Sequence, residues 1–167
     1  MPTPDLALVR RMLRRDRFAA AQGISLVELR EGYALARMPL GPRHMNGVGV
    51  AQGGAVFTLA DFAFAGACNS HGTIAVGLDT AVTFARAGTG RALTAEAREV
   101  VVTRRVSVCE VRVTDDADAL VALFRGTAFR KDDHVSTLFA RGARAAAPAR
   151  AQRRQAGRPR KRRANGT

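Results

Sequence analysis

Apolar side chains recur with two different periods along the first 140 positions, and each change of period marks a new element. Leu6, Val9 and Leu13 fall at helical spacing in an Arg-rich stretch over 4–20. This predicts a surface helix packed on the domain, with Thr3 as its N-cap and Pro4 in its first turn. Two strands are expected next, near Ile24–Leu29 and Tyr33–Met38, joined by a short turn at Arg30, Glu31 and Gly32. From Gly53 to Ser70 the chain reads GGAVFTLADFAFAGACNS, apolar nearly all the way round, so as a helix it must be buried on most of its faces. Four further runs, Val76–Phe84, Ala92–Val102, Val106–Thr114 and Leu120–Arg130, are rich in β-branched and apolar residues and predict strands. The connections between them are short, which favours antiparallel neighbours, because a parallel crossover needs a dozen or more residues. The expected fold is α+β, a sheet running as a meander after the long helix and wrapped around it.

Charge changes this picture only at one end. The formal net charge is +13, but residues 141–167 hold ten Lys/Arg and no Asp/Glu, which leaves 17 − 14 = +3 on residues 1–140. The basic segment is rich in Ala, Arg, Pro and Gly, offers no large apolar side chain and is expected to be disordered. A run such as Arg158 to Arg163 could bind phosphate backbones or anionic lipid, but no aromatic residues are interleaved for base stacking, and a solvated extension is the plainer reading. The expected organisation is an N-terminal helix over 1–22, one domain over 23–140 and a basic tail over 141–167. Cys68 and Cys109 lack CxxC spacing and a His at ligand spacing, so reduced core thiols are expected and no metal. There is no secretory h-region and no apolar run long enough to span a bilayer, which makes the cytoplasm the expected location and leaves no membrane partner.

Within the apolar helix Asp61 is the only charged residue. A carboxylate there is costly to ionise without a reason, either a poised general base or nucleophile, or a bond to neighbouring backbone or a buried Arg. The loop before the helix, Asn46-Gly47-Val48-Gly49 and then Gln52-Gly53-Gly54, leads into a helix start whose backbone N–H groups lack intrahelical partners. Those donors could hold a thioester oxygen as it gains negative charge. The loop lacks GK[ST], and Gln52 stands where GxGxxG needs its last glycine, so no nucleotide motif is present. Gly53 and Asp61 are eight residues apart, roughly 12 Å along one helix. One thioester carbon cannot touch both, whereas two helices set antiparallel across a two-fold would bring Gly53 of one copy near Asp61 of the other.

The segment NGVGVAQGGAVFTLADFAFAGACNSHG resembles the phenylacetic-acid-degradation type of hot-dog acyl-CoA thioesterases, and the likeness continues through LDTAVTFARAG and VALFRGTAFRK, over roughly residues 20–132. The resemblance implies a hot-dog fold, five or six antiparallel strands curled round one long helix, with dimers formed through the sheets and commonly tetramers. It implies that Asp61 is the catalytic carboxylate, that the Gly53 N–H polarises the thioester carbonyl with Gly54 beside it in the substrate site, and that Asn46 positions substrate or water. Gln52 stands where the family has His; its amide can donate a hydrogen bond but cannot become cationic near neutral pH. Arg86, Arg130 and Lys131 are candidates for the phosphates of coenzyme A. Phe57, Phe62 and Phe64 are candidates for acyl-pocket walls or for core.

His44 and His71 read as loop polar residues, and His134 as an exposed residue beyond the last strand. The expected function is hydrolysis of an acyl-CoA, of aryl or hydroxyaryl type such as phenylacetyl, to free acid and CoA by a homodimer or homotetramer without cofactor. A hot-dog acyl-CoA binder without hydrolysis, and nucleic-acid binding through the tail, are the competing readings.

Overall fold

The computed structural model describes residues 5–140. The expected basic tail, with Thr3 and Pro4, lies outside them. Two short helices, α1 (Leu6–Leu13) and α2 (Arg17–Ala21), stand where one was expected. Their starts are set by carboxylates: Asp5 accepts from the N–H groups of Ala7 and Leu8, and Asp16 from that of Ala19 at 2.9 Å. Asp16 stops one helix and caps the next, which the apolar spacing alone did not reveal. Val9 and Leu13 face the core, while Arg11 and Arg15 stack over Phe139 at 4.3 and 4.5 Å.

A hairpin follows, β1 (Ser25–Arg30) and β2 (Tyr33–Pro39). Its turn closes at Arg30↔Tyr33, and Gly32 adopts φ +67°, a conformation that favours glycine. A short 3-10 turn at Pro42–His44 precedes α3 (Gly53–Asn69), and then come β3 (Thr73–Phe84), β4 (Ala92–Val102), β5 (Val106–Thr114) and β6 (Leu120–His134). The sheet has six strands, every pair antiparallel, in the order β1-β2-β4-β5-β6-β3. The expected meander holds for β4-β5-β6 only. β3 pairs with β6 at the far edge, and residues 85–91 carry the chain back across the sheet, anchored where Gly88 accepts from Ala51 N–H at 2.9 Å and Arg91 from Leu40 N–H at 2.8 Å. A short link can therefore join non-neighbouring strands, because the curled sheet brings its edge close to the loop before α3.

Helix α3 lies in the concavity. Gly66 sits so close to the hairpin that a Cβ there would meet the Cβ of Ala34 at 2.8 Å, and a Cβ on Gly126 would meet the ring of Phe64 at the same distance. At its C-terminal end Asn69 is buried and spans to β3, donating to Ala65 and Ala75 carbonyls and accepting from Ala75 N–H. β6 runs four residues past the expected end, so His134 is its last residue rather than one beyond it, and it is exposed as expected. His44 lies in the loop before α3, as expected, and is buried there, its Nδ1 accepting from Gly41 N–H and its Nε2 facing the Gln22 carbonyl at 2.9 Å. Among the described residues no helix is long and apolar enough to cross a membrane.

Candidate active site

One stripe of α3 escapes the sheet. Gly54 and Asp61 are exposed and Phe57, Thr58 and Ala65 are half-buried, positions three, four, seven and eleven along from Gly54 and so on one face. The helix is therefore buried on most sides, as its composition requires, while its one charge looks out of the isolated chain. Even so, the surrounding protein desolvates Asp61 and raises its carboxyl above the ordinary range, with the Asp16 carboxylate as the second, smaller cause. The N-terminal segment thus reaches the candidate catalytic residue, a proximity that nothing in the sequence pattern announces.

The start of α3 has a definite pattern of used and unused donors. Gln52 is the N-cap: its Oε1 accepts from the N–H groups of Gly54 and Ala55. The Gly53 N–H donates to no acceptor among the described residues. Gln52 N–H is held by the His44 carbonyl at 2.7 Å, which fixes the approach of the loop to the helix. The amide oxygen of Gln52 is thereby committed to the helix end, and only its NH₂ remains to face a substrate. Asn46 is committed in a similar way: its Oδ1 accepts from Val48 and Val50 N–H groups at 3.0 and 3.2 Å and shapes the loop, which leaves its own NH₂ for another partner.

A groove of about 410 Å³ opens along this face, lined by Gln52, Gly54, Phe57 and Thr58 together with Met45, Phe18 and Gln22. Of the three aromatic candidates, only Phe57 borders it; Phe62 and Phe64 are buried, Phe64 against Phe124 with ring centroids 5.6 Å apart. Phe18 of α2 and Gln22, which caps its end, were not singled out by sequence reasoning, because a lone Phe in a short Ala-rich helix carries no chemical signature.

The three basic candidates do not gather in one chain. Arg86 follows the end of β3, where its N–H reaches Val121, whereas Arg130 pairs with Ala75 at the opposite end of the β3–β6 ladder. Ala75 and Phe84 are nine residues apart on the strand, roughly 30 Å. Lys131 is exposed beside Arg130, whose guanidinium donates to the Thr103 carbonyl at 2.7 Å. Arg130 is thus partly occupied in holding the β4–β5 turn.

A second cluster sits at the far end of α3. Cys68 and Cys109 are buried, free and 3.3 Å apart at sulfur, Ser107 donates to Glu99 with its Oγ 3.3 Å from the Cys68 sulfur, and Glu99 in turn meets His71. Both sulfurs and a Glu99 oxygen lie within 4.8 Å of one another. The cysteines therefore have a potential co-ligand that their sequence spacing hid, although each of these groups is already engaged in a hydrogen bond within the cluster. His71 is not a free loop residue: its Nδ1 lies 3.2 Å from Glu31, and its pKa is raised, chiefly by the hydrogen bond to Glu99.

Residues 48–122 match the thioesterase superfamily model. A putative esterase of Archaeoglobus fulgidus is 35% identical over 123 residues, covering 73% of this chain and 80% of that protein. The acyl-coenzyme A thioesterase PaaI of Escherichia coli is 37% identical over 120 residues, 71% of this chain and 86% of that protein. The solved structure of the E. coli PaaI protein from the phenylacetic acid degradation operon superposes with a TM-score of 0.74 at 33% identity, covering 77% of this chain and 94% of that one.

Proposed function

We propose that this chain, which belongs to the thioesterase superfamily and is a thioester hydrolase of the hot-dog fold, acts on acyl-CoA bearing an aryl or hydroxyaryl acyl group of the phenylacetyl type. The observation that carries the reading is the presence on one helix of an unsatisfied donor and a desolvated carboxylate: the Gly53 N–H at the start of α3 and Asp61 eight residues on. The first is suited to the carbonyl oxygen as it becomes an oxyanion. The second, ionised, takes a proton from the attacking water or attacks the carbonyl carbon itself. In the first route the water oxygen bonds to the carbonyl carbon, the C–S bond breaks, and the proton taken by Asp61 passes to the CoA sulfur; in the second the carboxylate forms an aspartyl–acyl anhydride as the C–S bond breaks, and water then hydrolyses that anhydride, releasing the acid, restoring Asp61 and supplying the proton for the thiolate. Water and protein groups suffice for this chemistry, with no cofactor beyond the CoA of the substrate.

Since roughly 12 Å separates the two groups on one helix, the reaction needs the Gly53 of one copy and the Asp61 of another. The edge of β3, which pairs with no other strand among the described residues, supports such a dimer. It is long and carries Val76, Leu78 and Phe84 at 41, 62 and 51% exposure, an arrangement that an isolated chain would have to protect. A two-fold across that edge would also bring the Arg130 end of one copy toward the Arg86 end of the other, so the basic candidates could meet one CoA together. Two such dimers would give the tetramer.

Thiol release from a panel of aryl and straight-chain acyl-CoAs tests the reading. Wild-type protein should turn over the aryl thioesters, and Asp61→Asn should lose about 10²–10⁴-fold in kcat while remaining a folded dimer. Tight binding without turnover by the wild type on every thioester would instead identify a non-hydrolytic acyl-CoA binder.

A further inference from the structure

Phe18 is 66% exposed, while its neighbour Ala19 is buried. The cap that Asp16 places on Ala19 N–H fixes this orientation: Ala19 turns inward, so Phe18 turns outward onto the groove before α3. Phe57 of α3 and Met45 of the preceding loop line the same groove. The Phe57 ring is itself backed edge-to-face by buried Phe124, with centroids 5.4 Å apart, so that wall is held from behind. Polar groups stand at the same groove, Gln22 just after α2, Arg43 from the loop and Gln52 at the helix start.

We infer that this groove is an aryl subsite, in which Phe18 and Phe57 hold the ring of the acyl group and Phe18 is the residue that selects aryl over straight-chain acyl groups. The inference rests on the proposed thioesterase reading, which puts the carbonyl at Gly53, directly beside the groove. Size permits it: about 410 Å³ is ample for a ring, given that a cavity of about 150 Å³ already accommodates benzene. Chemistry favours it, because two aromatic rings and a thioether in the lining gain from an aromatic guest an edge-to-face or sulfur contact that an alkyl chain does not return. Gln22, Arg43 and Gln52 could serve a ring hydroxyl.

The test uses the full chain with Phe18→Ala and Phe18→Leu, both at an exposed position that leaves the Asp16 cap in place. The ratio of kcat/KM for phenylacetyl-CoA to that for hexanoyl-CoA should fall about three- to tenfold in Phe18→Leu and further in Phe18→Ala. Equal losses on both substrates, or no change on either, would overturn the subsite while leaving the thioesterase intact. Conversion of Phe18→Ala to a monomer in sedimentation would also overturn it, by making Phe18 a subunit contact. Should the wild type hydrolyse neither thioester, the Kd ratio of the two ligands for Asp61→Asn with and without Phe18→Ala decides separately. A ratio that Phe18 does not alter sinks the subsite; one that it does alter upholds the subsite and places the failure in the hydrolytic reading alone.

Discussion

The Asp61 carboxyl is raised first by desolvation and second by Asp16, and the two causes can be separated at the bench. If the ionised form does the work, kcat/KM must fall on the acid side as pH drops through a value above the ordinary carboxylate figure of 3.8. Asp16→Asn removes the second cause but keeps a competent N-cap for α2, since Asn caps as well as Asp. The acid limb of its pH–rate profile should therefore move to lower pH with the fold unchanged; a limb that stays put would mean Asp16 does not act on Asp61. His71 gives the complementary case. Its pKa is raised from 6.5, so its charged form stabilises the fold fully below about pH 6.5 and progressively less as pH rises through the folded value. The melting-temperature gap between wild type and His71→Gln should accordingly narrow as pH rises, and Glu99→Ala, which takes one partner from both His71 and Ser107, should cost about 1–3 kcal/mol in denaturant unfolding. At this scale the sequence was informative about identity and silent about surroundings. Asp61 stood out as the lone charge in an apolar run, but Asp16 as its neighbour, the Glu99–His71 pair and the closeness of Cys68 to Cys109 all depend on contacts between elements far apart in the chain.

Element by element, the strands were legible where alternation and turn residues agreed. β4 and β5 begin and end where their β-branched runs do, and α3 was evident from its unbroken apolar composition. What the pattern did not carry was adjacency. The seven residues between β3 and β4 look like a hairpin link, yet β3 pairs with β6, because strand order is decided by how the sheet curls around α3 and not by link length. The closeness of that wrapping is itself testable. At Gly66 a side chain would press on Ala34, and Leu13 and Leu29 stand just behind, so there is little room to yield. Replacing Gly66 by Ala sets about 1 kcal/mol of helix propensity against the overpacking. Gly66→Val keeps less of that gain and adds more bulk, and should lower stability by about 2–3 kcal/mol in denaturant unfolding. A variant as stable as wild type would show that the helix can lift off the hairpin without loss.

For the molecule as a whole, the question is whether a single chain can act. A lone copy presents an oxyanion donor without a nearby carboxylate at Gly53 and a carboxylate without a donor at Asp61, so the proposed site is complete only in a pair. The surface that would make the pair is the β3 edge, and charge placed on that edge should prevent it, as lysines do on strands that must stay unpaired. Val76→Lys combined with Leu78→Lys changes two side chains that are already 41 and 62% exposed, so the fold of each chain should survive. Sedimentation should then report monomers with a native circular dichroism spectrum, and thiol release should fall at least 10²-fold, comparable to the loss from Asp61→Asn. Mixing Asp61→Asn with a Gly53→Pro chain, which lacks the donor but keeps the carboxylate, offers the converse experiment. Each is inactive alone, and a mixed dimer regains one intact site out of two, so re-association of the two should restore a fraction of the activity. A monomer that turns over as fast as the dimer would remove the shared site outright, and would require Gly53 and Asp61 to act on the substrate from a single helix.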